Sequence, residues 1–206
     1  MCKIMVGVGK MKRAAAERAI ATAAEIFGRS QRDGFGWLAV GADLSVAMGR
    51  YLSAEDYGPV EELPPWVHAE VRRGGPGRVA THGEMPTEVI ALLAHGRTAT
   101  SGVSLENVHP FSRNDVALIH NGILNWTGKG KAPMSTDGCD SEQFLRWLVS
   151  RNMNWAGVSE NWSGYAALGV ADMRPHRRTL TVAKCDTAQL SWRRGRGADW
   201  FSTTGE

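Results

Sequence analysis

The chain has 206 residues, 43% of them apolar and 22% charged, which is ordinary for one globular domain with a sizeable core. The net charge of +3 demands neither nucleic acid nor a membrane as partner, and no uninterrupted apolar run is long enough for a membrane span. The three cysteines, Cys2, Cys139 and Cys185, lack CxxC spacing; that excludes a disulfide framework or zinc pattern and fits a reducing, cytoplasmic setting.

Cys2 to Val8 alternates and is rich in Ile and Val, so it reads as a strand; no apolar h-region marks a secretory signal. In "AAAERAIATAAEIFGRS", Ala16, Ala19, Ile20, Ala23 and Phe27 fall at helical spacing, with Gly28 as the stop. "DGFGWLAV" and "LSVAMGRYL" read as two strands of a hairpin turning at Gly41 to Asp43. Ser53 to Gly77 is rich in Pro, Gly and charge and reads as a surface excursion. "TEVIALLAHGRTATSG" fits either a helix opened by Pro86 or a buried strand. "DVALIHNGIL" reads as a strand ended by a turn at Asn121-Gly122. In "DSEQFLRWLVSR", Phe144, Trp147 and Leu148 share a helix face, Asp140 stands at the cap, and Gln143 is at capping-box distance. "GYAALGVAD" and "TLTVAKC" read as strands around a polar turn at Pro175, and "DWFST" as a last one. With 24 glycines for tight turns and no βαβ alternation, this order implies antiparallel sheets covered by helices.

Four places carry chemistry. By position alone, Cys2 is a small residue at a tolerant terminus. If Met1 is removed, however, Cys2 gains a free α-amino group with a pKa of roughly 7.7–8.0, a built-in base for its own thiol. Arg97 is either a surface arginine at the end of an apolar run or a planar fork for a carboxylate. Asn121-Gly122 is common hairpin chemistry, and equally an amide beside a glycine N–H, which suits an oxyanion hole. Asp140 is either a helix cap or a carboxylate that holds an ammonium. His82, His95, His109, His120, Cys139 and Cys185 lack metal-ligand spacing, and His95 and His120 read as strand supports beside a site. "RPHRR" and "RRGRG" read as a solvated turn and a solvated edge.

In order along the chain, Cys2, "RDGFGWLAV", "HGRTATSG", "NVHPF", "HNGILN", "DSE" and "GYAALGVAD" resemble the class II glutamine amidotransferase domain of the N-terminal nucleophile hydrolase superfamily. The resemblance covers nearly the whole chain and implies one domain, residues 1–206, built as a four-layer αββα sandwich. It implies Cys2 as nucleophile with its α-amino group as base. Arg97, with Thr98 and Thr100, would hold the glutamine α-carboxylate, Asn121 and Gly122 would form the oxyanion hole, and Asp140 would hold the α-ammonium. Three positions depart from the family's pattern: Lys3, Thr98 and Ser101.

The implied reaction is hydrolysis of the side-chain amide of free L-glutamine through a Cys2 thioester, giving glutamate and ammonia. It needs neither cofactor nor metal. No nucleotide-binding or sugar-phosphate motif is visible, so the implied acceptor site lies on a synthase partner protein, or the unit is a free-standing glutaminase. Two other readings stay open. One is an N-terminal cysteine acylase acting on other amides, which would not need both Arg97 and Asp140. The other is a non-catalytic glutamine-binding subunit that keeps Met1.

Overall fold

The alternating run after Cys2 forms strand β1 (Lys3–Lys12), which sends Ile4 and Val6 to one face and Met5 and Met11 to the other. In this computed structural model the described residues are 2–52, 79–99, 103–129, 139–195 and 197–204. The expected surface excursion, Ser53 to Gly77, lies outside them.

Helix α1 (Arg13–Gly28) follows directly and buries Ala16, Ile20, Ala23 and Phe27. The small alanines favour the helix and let it lie close against a sheet. That sheet also holds β2 (Phe35–Gly41), β3 (Val46–Tyr51), β4 (Val79–His82) and β5 (Glu88–Gly96). The ambiguous "TEVIALLAHG" is therefore a strand. It ladders antiparallel to β1 on one side and β2 on the other, and a strand covered on both faces reads as a continuous apolar run.

After a single 3-10 turn at Leu105–Asn107 come β6 (Phe111–Arg113), β7 (Val116–Trp126), helix α2 (Asp140–Ser150) and the short α3 (Val158–Asn161). Strands β8 (Trp162–Asp172), β9 (Thr179–Lys184), β10 (Ser191–Arg194) and β11 (Ala198–Ser202) complete the chain. The sheets run β10-β11-β1-β5-β2-β3-β4 and β6-β7-β8-β9, and the neighbouring strands are antiparallel.

Three apolar layers hold these elements together. Phe27, Trp37 and Leu92 pack between α1 and the larger sheet. Ile4, Leu93, Ile119 and Ala167 pack between the two sheets. Phe144, Leu148, Trp162 and Leu168 pack between α2 and the smaller sheet. The architecture is thus the expected four-layer αββα sandwich.

Two local expectations are corrected. Asn121-Gly122 does not end a strand: β7 runs on to Trp126, with Gly122 opposite Ala166 on β8. Gly122 has φ +136°, and a Cβ there would collide with the Tyr165 carbonyl oxygen, so glycine is needed for a close strand approach rather than a turn. Asp140 is not the cap of α2 either. It is the first helical residue, Cys139 takes the cap position without a side-chain bond, and the Asp140 carboxylate turns toward β7.

Candidate active site

The register of β1 on β5 pairs Lys3 with Gly96, so Cys2 and Arg97 emerge side by side at the same end of the larger sheet. The Cys2 thiol lies 3.6 Å from the Thr98 carbonyl oxygen and donates to it, a bond only the protonated form makes. Burial pushes that thiol above its ordinary value, and the nearby Arg97 guanidinium opposes the shift without cancelling it. The thiol therefore needs a base to become a nucleophile.

Arg97 is only 6% exposed. Its backbone is fastened to the start of β2: Arg97 N–H donates to Gly34 O at 2.7 Å, and Asp33 N–H donates back to Arg97 O at 3.2 Å. Asp33 Oδ2 then accepts the Ala99 N–H at 2.8 Å. Asp33 thus shapes the loop that carries Arg97 and Thr98. Nothing local to "RDGFGWLAV" assigns this carboxylate a role; the signal available is an acidic residue directly before a Gly-initiated strand.

The smaller sheet supplies the facing wall. Gly122, Ile123, Leu124 and Trp126 of β7 line a cleft of about 410 Å³, together with Cys2, Arg97, Thr98, Asp140 and Ser141. Asn121 sits one residue back, 4% exposed, and is not among the lining residues; its Oδ1 has no hydrogen-bond partner among the described residues. Thr100 lies outside the described residues, as does Ser101. Cys2, Arg97, Thr98, Gly122 and Asp140 are thus brought to one cleft from four separate stretches of chain.

Asp140 is held from two sides. Its Oδ2 accepts the Leu124 N–H and its Oδ1 the Ser141 N–H, each at 2.8 Å. A carboxylate in the first turn of α2 is also favoured by the helix dipole. Behind it stand three buried histidines. His95 and His109 meet in a tilted contact with ring centroids 4.0 Å apart, and His109 and His120 are 6.4 Å apart. Burial first, and then the neighbouring His120, lower the His95 pKa to about 3. Burial likewise moves His109 well below and His120 below the ordinary value, with Asp140 pulling His120 the other way. All three rings are held neutral.

Among the described residues no group of three or more His, Cys, Asp or Glu side chains is placed to hold a metal ion, and no helix is long and apolar enough to cross a membrane. Chemically, the residues around this one space supply a thiol, a guanidinium and a carboxylate, with the Gly122 backbone in the facing wall.

No family model and no curated protein matches the sequence. Solved structures match the fold. The glutamine phosphoribosylpyrophosphate amidotransferase from B. subtilis, complexed with ADP and GMP, is similar over 98% of this chain with a TM-score of 0.60 and 19% identity. The allosteric regulatory enzyme of purine biosynthesis is similar over 98% with a TM-score of 0.63 and 19% identity. The chain spans 42% of the length of each.

Proposed function

We propose that this chain is a class II glutamine amidotransferase domain that hydrolyses free L-glutamine at Cys2. The observation that carries the reading is the pairing of opposite charges, Arg97 and Asp140, on either side of a cleft that also holds the Cys2 thiol. A free amino acid presents a carboxylate and an ammonium, and these two side chains match them. The fold shared with the B. subtilis glutamine phosphoribosylpyrophosphate amidotransferase, at a TM-score of 0.60, supports the reading.

Loss of Met1 frees the Cys2 α-amino group, which takes the thiol proton that burial otherwise holds in place. The thiolate adds to the side-chain amide carbon. The Gly122 N–H stabilises the oxyanion together with the Asn121 side-chain amide, which turns in from one residue behind the cleft wall, at about 3 kcal/mol of barrier per donor. The tetrahedral species collapses as the α-ammonium protonates the departing nitrogen, releasing ammonia and leaving a γ-glutamyl thioester. Water, deprotonated by the same amine, cleaves the thioester to glutamate and regenerates the thiol. Arg97, with Thr98 and Thr100, holds the α-carboxylate, and Asp140 holds the α-ammonium. Glutamine within a peptide lacks both charges and so does not match Arg97 and Asp140, which favours the free amino acid. The ammonia passes to an acceptor site on a synthase partner.

Intact mass and glutamate release test this directly. The expected result is a mass lacking Met1, glutamate formed from free glutamine, and none with Cys2→Ala. Retained Met1 with no glutamate would establish a binding subunit. Release from acyl amides but not from glutamine would establish an acylase.

A further inference from the structure

Besides its two backbone partners the Asp140 carboxylate has the Ser141 hydroxyl beside it, with Cys139 Sγ more distant at 4.0 Å from Oδ1 and His120 Nδ1 at 4.0 Å from Oδ2. Ser141 Oγ lies 3.3 Å from Asp140 Oδ1 and 2.9 Å from His120 Nδ1. Ser141 is 2% exposed and His120 3% exposed. A hydroxyl has one proton to give.

Two arrangements satisfy these distances. In one, Ser141 donates to His120 Nδ1, and the imidazole proton sits on Nε2. That nitrogen is buried with no hydrogen-bond partner among the described residues, so a donor is left unmet. In the other, His120 carries its proton on Nδ1 and donates to Ser141 Oγ, and the hydroxyl donates on to Asp140. The unmatched atom is then a bare acceptor nitrogen, and buried unmet N–H donors are the rarer and costlier defect. The second arrangement also gives a carboxylate an O–H donor, a charge-assisted bond. The His120 backbone is itself fixed, because His95 Nε2 donates to its carbonyl oxygen at 3.0 Å.

We propose that Ser141 and His120 are positioning residues for Asp140: the Nδ1–H tautomer of His120 donates to Ser141 Oγ, which donates to Asp140 Oδ1 and locks the carboxylate toward a substrate ammonium. The relay itself rests only on geometry; its role in substrate selection rests on the glutamine reading above. Without it the carboxylate keeps two backbone donors but loses a restraint on Oδ1. The relay therefore acts on recognition of the α-amino group rather than on attack at the amide.

Nitrogen-15 NMR of the histidine rings in the unsubstituted chain reads the tautomer directly. His120 is expected as Nδ1–H, moving to Nε2–H or a mixture in Ser141→Ala. An Nε2–H ring in the unsubstituted protein overturns the relay. Kinetics read its purpose, with glutamine compared against 4-carbamoylbutanoate, which is glutamine without its α-amino group. Ser141→Ala is expected to lower kcat/KM for glutamine about tenfold, through KM, while the deamino analogue changes by no more than about twofold. Ser141→Thr, which keeps the hydroxyl, is expected to restore the preference for glutamine. Equal losses on both substrates would show a general disturbance and overturn the positioning role. A parent protein that never hydrolyses glutamine sinks the functional reading, and the tautomer then decides the relay by itself.

Discussion

His95 Nε2 donates to the carbonyl oxygen of His120 at 3.0 Å, although the two residues belong to different sheets. The bond crosses the sandwich from the end of β5 to the middle of β7, beside the cleft. Arg97 follows His95 by two residues, and Asn121 and Gly122 follow His120 directly. One buried hydrogen bond therefore sets the spacing between the arginine and the Asn-Gly pair. Because a carbonyl only accepts, it also fixes the His95 proton on Nε2.

Replacing His95 with alanine removes that donor, leaves the His120 carbonyl without it, and opens space beside His109. The expected loss is about 2–4 kcal/mol, read as a lower urea midpoint. His95→Gln, which keeps a donor at similar reach, should recover part of it. An unchanged midpoint for His95→Ala would show that the cross-sheet bond fastens nothing.

The three buried histidines predict acid sensitivity. In the unfolded chain each titrates near the ordinary value of 6.5, whereas in the folded chain each is depressed, His95 to about 3. Between these values the unfolded state binds more protons, so stability falls as pH falls. It is full above about pH 6.5 and falls below it, by at most about 1.4 kcal/mol per pH unit for a histidine until that group's folded value is reached. Urea midpoints at pH 7.5, 6.5 and 5.5 check this, since most carboxylates stay ionised across that window. His109→Phe should flatten the slope, and a flat profile in the parent chain would contradict neutral burial.

The parts of this fold that sequence reasoning found are those where one face pattern dominates. Ala16, Ile20 and Phe27 recur at helical spacing because α1 buries a single stripe. β5 was ambiguous because Val89 to Gly96 is covered on both faces, and two-sided burial erases the period that tells strand from helix. β10 was missed because all four of its residues are exposed at a sheet edge, which leaves no alternation to detect. Asn121-Gly122 misled because its glycine serves a close approach to Tyr165, a contact 43 residues away that no local signal carries. Asp33 and Ser141 escaped notice for the same reason: their partners, Ala99 and His120, lie far along the chain. Cys2, Arg97 and Asp140 each have an ordinary reading by position alone, and only the ordered set of motifs along the chain singles them out as candidates.

Gly122→Ala tests the β7 geometry. Its backbone at φ +136° disfavours a side chain, and the added methyl meets the Tyr165 carbonyl oxygen, which belongs to backbone and cannot swing away. The expected cost is at least about 2 kcal/mol of stability. Displacing the Gly122 N–H should also lower kcat about a hundredfold with little change in KM for glutamine. A variant as stable and active as the parent would remove Gly122 from the oxyanion site.

Arg97→Ala separates binding from chemistry. The strand-end fastening survives, because Gly34 O and Asp33 N–H pair with the Arg97 backbone rather than with its side chain. What is lost is the guanidinium fork, together with its long 3.5 Å contact to Asp33 O. If the fork holds the glutamine carboxylate equally in ground and transition states, KM rises by about a hundredfold and kcat stays within about fivefold. Arg97→Lys keeps the charge but not the bidentate geometry, so it should fall between the two. A general disturbance would behave differently. Thr98, the next residue, touches the Cys2 thiol through its carbonyl at 3.6 Å, so a displaced loop would move the nucleophile's partner and depress kcat. A loss confined to kcat with KM unchanged would therefore assign Arg97 to holding the loop and leave the carboxylate without its clamp.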